Sequence, residues 1–359
     1  ICHAQYATGP TNIPIYRLQP LEFIAINAIT TDHEMGGAVS TISWTILGED
    51  DFVENATGTT YSSNLDPGSY TIILRPQDNF GFWGEASKVI WIMEFEQTTP
   101  GIASPTGITA QPDGSAVFVT EEINPTTWQM SRFSREPGID EGTGGDLTLT
   151  HSEGSASLSS QLRDIKAMDN ANVFSLEADG TISRFATADL ASNATPVTCS
   201  VVNPTTFAYG ADSFLYVTDV TAGRLYKVNP STGAITASPT MGNIFGVAYF
   251  DSTTDMLYVT QPASSLVRKY NLSYTIQPFT GTGVTGPLYT TTSAKYVIVS
   301  NGSNSLSFFD HSTGTLQFTM DGFTTARGVV VVGPDLYVVE NTPNRITRYR
   351  FGRYDASQW

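Results

Sequence analysis

Leu215-Tyr216-Val217-Thr218-Asp219 is the stretch on which the reading of this chain turns. Its β-branched and aromatic residues favour a strand over a helix, and the polar pair that follows marks where the strand ends. The same pattern returns five times: Val117-Phe118-Val119-Thr120-Glu121, Val173-Phe174-Ser175-Leu176-Glu177, Leu257-Tyr258-Val259-Thr260-Gln261, Val297-Ile298-Val299-Ser300-Asn301 and Leu336-Tyr337-Val338-Val339-Glu340. In chain order the six begin 56, 42, 42, 40 and 39 residues apart. A period near 40–45 residues is that of a four-stranded propeller blade.

Each repeat carries further strands. An apolar one precedes it, as in Gly107-Ile108, Asp164-Ile165, Thr206-Phe207, Gly246-Val247, Pro287-Leu288 and Gly328-Val329. A third follows after a turn, as in Arg224-Leu225-Tyr226-Lys227-Val228 and Arg345-Ile346-Thr347-Arg348-Tyr349, and a Gly-led fourth follows in several, as in Gly233-Ala234-Ile235-Thr236. No stretch sustains helical periodicity. The long first spacing is filled by the Gly-, Ser- and acid-rich residues between Arg135 and Ser160. They hold Asp140, Glu141, Asp146 and Glu153, but at no defined calcium-loop spacing, and read better as solvated loop.

The repeats resemble the NHL/YVTN class of β-propeller over residues 104–351, most specifically in Gly107-Ile108-Thr109-Ala110-Gln111-Pro112-Asp113-Gly114, in the stretch quoted first, and in Leu336-Tyr337-Val338-Val339-Glu340-Asn341 with Asn344-Arg345-Ile346. The resemblance implies a six-bladed ring. Ahead of it, Gly68-Ser69-Tyr70-Thr71-Ile72-Ile73-Leu74 runs into Asp78-Asn79-Phe80-Gly81 and an apolar strand at 89–93. This resembles bacterial Ig-like modules of the PKD or fibronectin-III kind and implies a β-sandwich. The expected fold class is therefore all-β: an N-terminal extended arm (1–19), an Ig-like β-sandwich (20–96) and a six-bladed β-propeller (104–359).

The arm belongs to neither domain. Pro10, Pro14 and Pro20 keep it out of a central strand. Ile13, Ile15 and Tyr16 are too apolar for a solvated tail and point to docking by strand addition. Cys2 and Cys199 are the only cysteines. They are two separate thiols, an ordinary disulfide, or a bond tying the arm to a folded domain within or between chains.

Composition sets limits on partners. Against 34 acidic residues stand 18 Lys and Arg, for a net charge of −16, and no basic cluster is present. Phosphate neutralisation needs basic side chains, so nucleic acid is not an expected partner, nor is an anionic membrane surface. No apolar run reaches the ~20 residues of a bilayer span. The chain is Thr- and Ser-rich, poor in Lys, and begins at Ile1; the expectation is an exported protein, extracellular or at the cell surface. Asn55, Asn193, Asn271 and Asn301 head glycosylation triplets.

Catalytic signals are sparse. Of the four histidines, His3, His33, His151 and His311, only the last two fall in the propeller, so a three-histidine metal site is excluded there and the His-based chemistry of streptogramin-lyase propellers is disfavoured. There is no Gly-x-Ser-x-Gly elbow and no phosphate-binding Gly-rich loop with Lys. The residues closing the repeated strands, Glu121, Glu177, Asp219, Gln261, Asn301 and Glu340, would ring one face. Glu121, Asp219, Asn301 and Glu340 among them could hold Ca²⁺ through oxygen ligands, as in lactonase-like propellers. Because a polar residue recurs there in every repeat, a structural role is preferred. Trp44 and Trp91 read as core, and Trp128 as an exposed contact. The resulting expectation is a non-enzymatic structural or interaction protein with no cofactor, a subunit of a filament or array that self-associates through its arm and meets other surface proteins or glycans. The alternatives are a calcium-dependent lactonase-like hydrolase and a monomeric carbohydrate- or protein-binding module.

Overall fold

A computed structural model describes most of residues 39–351, apart from 49–51, 59, 64–67, 82, 99–101, 135–149, 155–159, 193, 252–253, 303 and 334; before 39 it describes the backbone of four short strands. The chain is all-β and divides into two compact units, one within Ile1–Phe95 and one from Glu96 to Arg348.

In the first unit the strands Val53–Thr57, Val39–Leu47, Gly68–Asp78 and Ala86–Thr98 pair antiparallel in that order. Alternation decides which face is buried: Ile42, Trp44 and Ile46 point inward from one strand, Tyr70, Ile72 and Leu74 from the next. The Trp44 indole N–H donates to Gly58 O at 2.8 Å, which satisfies its polar edge inside the core. The arm residues Ile15 and Tyr16 lie in the strand Ile15–Leu18. That strand pairs parallel with Ala86–Thr98 of the same chain, Ile15 opposite Trp91 and Tyr16 opposite Ile92. Ile13 lies outside the described residues, as does the acidic loop with Asp140, Glu141 and Asp146.

The second unit consists of propeller-like sheets. Among the described residues, five four-stranded antiparallel meanders follow one another, opening with Pro105–Ala110, Leu162–Ala167, Pro204–Tyr209, Val247–Phe250 and Pro287–Thr292. A further meander, Ala326–Val332, Asp335–Asn341 and Asn344–Phe351, continues the series. All six stretches of the repeated pattern lie in second strands: Ala116–Asn124, Asn172–Glu177, Leu215–Asp219, Met256–Gln261, Tyr296–Asn301 and Asp335–Asn341.

Hydrophobic clusters sit between consecutive sheets. Phe174, Leu176 and Ile182 meet Phe207, Leu215 and Val217 between the second and third, and Tyr258 and Val267 meet Val297, Val299 and Phe309 between the fourth and fifth. A further cluster joins Ile108, Val117, Val119 and Phe133 of the first sheet to Tyr337, Val339 and Ile346 of the last, so the series closes on itself. Fully burying one such side chain is worth about 1.5–3 kcal/mol, which makes these seams the main source of stability.

The repeated polar pair has a local purpose. In five first strands the register gains one residue, between Pro105 and Ile108, Leu162 and Asp164, Pro204 and Phe207, Pro287 and Thr290, and Ala326 and Val329. Such a bulge frees a backbone N–H. The hydroxyl of the second strand accepts it: Gly107 N donates to Thr120 Oγ1 at 2.7 Å, Thr206 N to Thr218 Oγ1 at 3.1 Å, and Tyr289 N to Ser300 Oγ at 3.1 Å. In the fourth sheet, Gly246 N donates to Thr260 Oγ1 at 2.7 Å just ahead of the first strand.

Candidate functional site

The residue closing each repeated stretch, for which a structural role is preferred over calcium binding, bonds within its own sheet. Glu121 accepts from Ala103 N at 2.8 Å. Asp219 accepts from the backbone of Val202, Asn203, Thr221 and Ala222. Glu340 accepts from Thr324 N at 2.7 Å, from Thr347 and from Arg345. Asn301 donates to Ser305 and Ser307, Glu177 accepts from Ser183, and Gln261 donates to Met241 O. All six are buried. Each ties the end of a second strand to the segment before the first strand or to the neighbouring hairpin, and among the described residues no three His, Cys, Asp or Glu side chains are grouped to hold a metal ion.

The other residues singled out from sequence are scattered. Cys199 is a buried free thiol whose Sγ–H donates to Gly180 O at 3.1 Å; the side chain of Cys2 lies outside the described residues. Asn55 is exposed and Asn271 half-buried, whereas Asn301 is buried with its amide donating to two serines, which leaves no room for a glycan there. Asn193 is not among the described residues. Trp128 is half-buried rather than exposed, because it stands opposite Glu122 in a hairpin. His311 lies on an outer turn with its ring 4.8 Å from that of Phe250, and its carbonyl accepts from Tyr258 Oη.

What the six meanders do bring together is their first strands. These surround a cavity of about 210 Å³ lined from every one of them, by Ile108, Lys166, Ala208, Tyr249, Thr291 and Val330 among others. Its wall is stitched between sheets: Ala167 N donates to Thr109 Oγ1 at 3.0 Å, and Thr292 Oγ1 donates to Tyr249 O at 2.8 Å. Among the described residues Lys166 is the only charged side chain lining it. Its ammonium lies 3.2 Å from the carboxylate of Asp164, two residues earlier in the same strand. Asp164 is fully buried and also accepts from Ile165 N at 2.8 Å and Phe207 N at 3.1 Å. Burial pushes its carboxyl above the usual carboxylate range, against the pull of Lys166 and the two backbone donors. A second cavity of about 580 Å³ opens between the second and third sheets and shares Met168 and Tyr209 with the first; Arg184, Thr195, Asn229 and Ser231 give it polar edges.

The residue names alone did not point to this place. Lys166 and Asp164 belong to a single repeat and recur in no other, so a search for repeated positions passes over them. The available signal is three charges, Arg163, Asp164 and Lys166, inside one first strand, where the sister strands carry only Arg327.

No family model matches the chain, and no curated protein does. Among solved structures it is similar to a virginiamycin B lyase from Staphylococcus aureus. A catalytically inactive variant of that enzyme with quinupristin matches at 14% identity and a TM-score of 0.49, over 92% of this chain and 100% of that one. The selenomethionine-substituted enzyme matches at 13% identity and the same TM-score, over 92% and 99%. Both are structures of an enzyme. On this finding the expectation of a non-enzymatic filament or array subunit joined through its arm is corrected and not carried forward. A likeness at this level assigns no residue, substrate or reaction to the present chain.

Proposed function

We propose that this chain is a hydrolytic enzyme acting on small carbonyl compounds, cyclic esters first among them, with its active site in the axial cavity. The observation that carries the reading is the Lys166–Asp164 pair at 3.2 Å in a pocket walled by all the first strands. Perturbed ionisable groups in a concave site are where acid–base chemistry is found. Asp164, locked by two backbone donors, orients the Lys166 ammonium through the 3.2 Å contact. A half-buried ammonium of this kind stabilises the oxyanion that develops on a carbonyl oxygen and donates a proton to it. The cavity is smaller than the ~300 Å³ at which drug-sized sites begin, hence a small substrate. Asp219 and Glu340 spend their carboxylates on their own sheet, and the chemistry proposed here runs through Lys166 and not through Glu121, Asp219, Asn301 and Glu340.

With this reading goes a domain description: a six-bladed propeller of the NHL/YVTN class, preceded by an Ig-like module, in an exported protein. The meanders, their period and the Thr/Ser-rich composition support it. The test is proton release from γ-butyrolactone and dihydrocoumarin by purified protein, with and without a chelator. Turnover that falls by at least about 100-fold in Lys166→Met, the order lost with an oxyanion stabiliser, at unchanged melting temperature and insensitive to chelator is the expected result. Equal turnover in Lys166→Met, abolition by chelator, or none above the blank for either lactone overturns the reading.

A further inference from the structure

Below the level of Lys166 the first strands carry their bulges, and there the axis is lined differently. The bulge positions bring in Gly107 from the first sheet, Arg163 from the second, Thr206 from the third, Tyr289 from the fifth and Arg327 from the last. Phe245, just before the fourth first strand, sets its ring edge-on to Tyr289 with centroids 5.4 Å apart. These residues meet across the axis. The phenol of Tyr289 lies close enough to Arg327, Arg163 and Asp164 to feel their charges, the last two coming from the second sheet, three sheets away around the series. Gly107 lies so close to Asp164 that a Cβ added to it would come within 3.1 Å of the carboxylate.

The charge balance at this level is unusual for the chain. The protein carries −16 overall, yet Arg163 and Arg327 come to this level beside Lys166, whose ammonium already holds the Asp164 carboxylate. Among the described residues neither Arg163 nor Arg327 has a carboxylate within ion-pair distance. The Nε of Arg163 is buried and, among the described residues, has no acceptor. A buried guanidinium N–H without an acceptor costs stability unless a ligand supplies one. Guanidinium and phenol groups are also the donors that planar and tetrahedral oxyanions take.

We infer that the propeller axis at the level of the first-strand bulges is a binding site for a small oxyanion, a phosphate or a carboxylate, held by Arg163 and Arg327 with Tyr289 beside them. The inference does not rest on the catalytic reading of Lys166. A phosphate and a carboxylate present the same acceptor chemistry here, so both enter the test.

The experiment is isothermal titration of the full chain in a chloride buffer with inorganic phosphate and, separately, with acetate. Wild type is compared with Arg163→Met, Arg327→Met and, as variants that keep the packing, Arg327→Lys and Tyr289→Phe. Saturable one-to-one binding of at least one anion, weakened tenfold or more in either Arg→Met variant, is the expected result. The anion that binds identifies the class. Should the Arg→Met proteins not fold, Arg327→Lys and Tyr289→Phe must each weaken binding at least threefold. No saturable binding of either anion, or binding unchanged in the folded variants, overturns the inference. Because lactone turnover is not read, its failure is distinguishable from failure of the hydrolase proposal: loss of turnover in Lys166→Met with no anion binding leaves the latter standing alone.

Discussion

Thr218 shows how much of this structure hangs on single hydroxyls. It is fully buried, accepts Thr206 N at the bulge and donates to Phe245 O of the next sheet at 2.6 Å. Thr218→Val keeps the shape and removes both partners. Phe245 O keeps Thr205 and Thr206 as donors, but the bond from Thr206 N is left unmade. A buried donor without its acceptor costs about 1–3 kcal/mol, so urea unfolding should show Thr218→Val less stable by that amount, and a loss below about 0.5 kcal/mol would mean the bond is replaceable. Asp310 is the second case. Its carboxylate accepts from Ser312 and Thr313, backbone and hydroxyl alike, and these bonds lower it to about 2. A depressed carboxyl stabilises the fold fully above its unfolded value and loses that contribution as pH falls through the folded value. The stability gap between wild type and Asp310→Asn should therefore hold from pH 7 to about 4 and shrink toward about 2, measured by thermal melts across that range. Both side chains stand in repeated turn or strand patterns that sequence displays plainly. Arg163 and Arg327 do not, because nothing in a residue's name tells that its strand carries a bulge.

The same contrast governs the elements. Alternation and spacing located every second strand, since burial on the pleat writes itself into sequence with period two. The first strands were legible as strands but not in register. One extra residue reverses which side the following side chains face, and five of these strands contain one. That is why the polar ring at the second-strand ends read as a channel lining while Asp164 and Lys166 went unnoticed. Close approach between neighbouring elements is also invisible to pattern. Gly246 sits where an added Cβ would meet Leu288 O of the next first strand at 2.2 Å, a backbone atom that cannot step aside. Gly246→Ala must push the fourth and fifth first strands apart. It should cost about 1–3 kcal/mol, the range of an overpacked core, and should also weaken the Thr260 Oγ1 to Leu288 O bond, now 2.6 Å. Faster amide exchange along Pro287–Thr292 in the variant would report that opening; exchange equal to wild type would contradict it.

At the scale of the molecule, a series of sheets that closes on itself has no seam free to open alone. The cluster joining first and last sheets is of the same kind as those between sequence neighbours, so no interface is marked as the weak one. Cys199 reports on this. It is a buried free thiol in the cluster between the second and third sheets, and burial pushes its ionisation above the usual thiol range. Both effects make it inert in the native state. If the sheets open only together, alkylation of Cys199 by iodoacetamide should proceed at the rate of global unfolding followed by tryptophan fluorescence, with Trp44 of the first unit replaced by Phe to reduce its signal. The two rates should then rise in parallel with urea. Unfolding without reductant should release Cys199 as a reactive thiol, as its free state requires. Alkylation many times faster than unfolding, and insensitive to urea, would show instead that the seam between the second and third sheets breathes independently. The 580 Å³ cavity that lies along this seam would then be a gate rather than a fixed extension of the axial site.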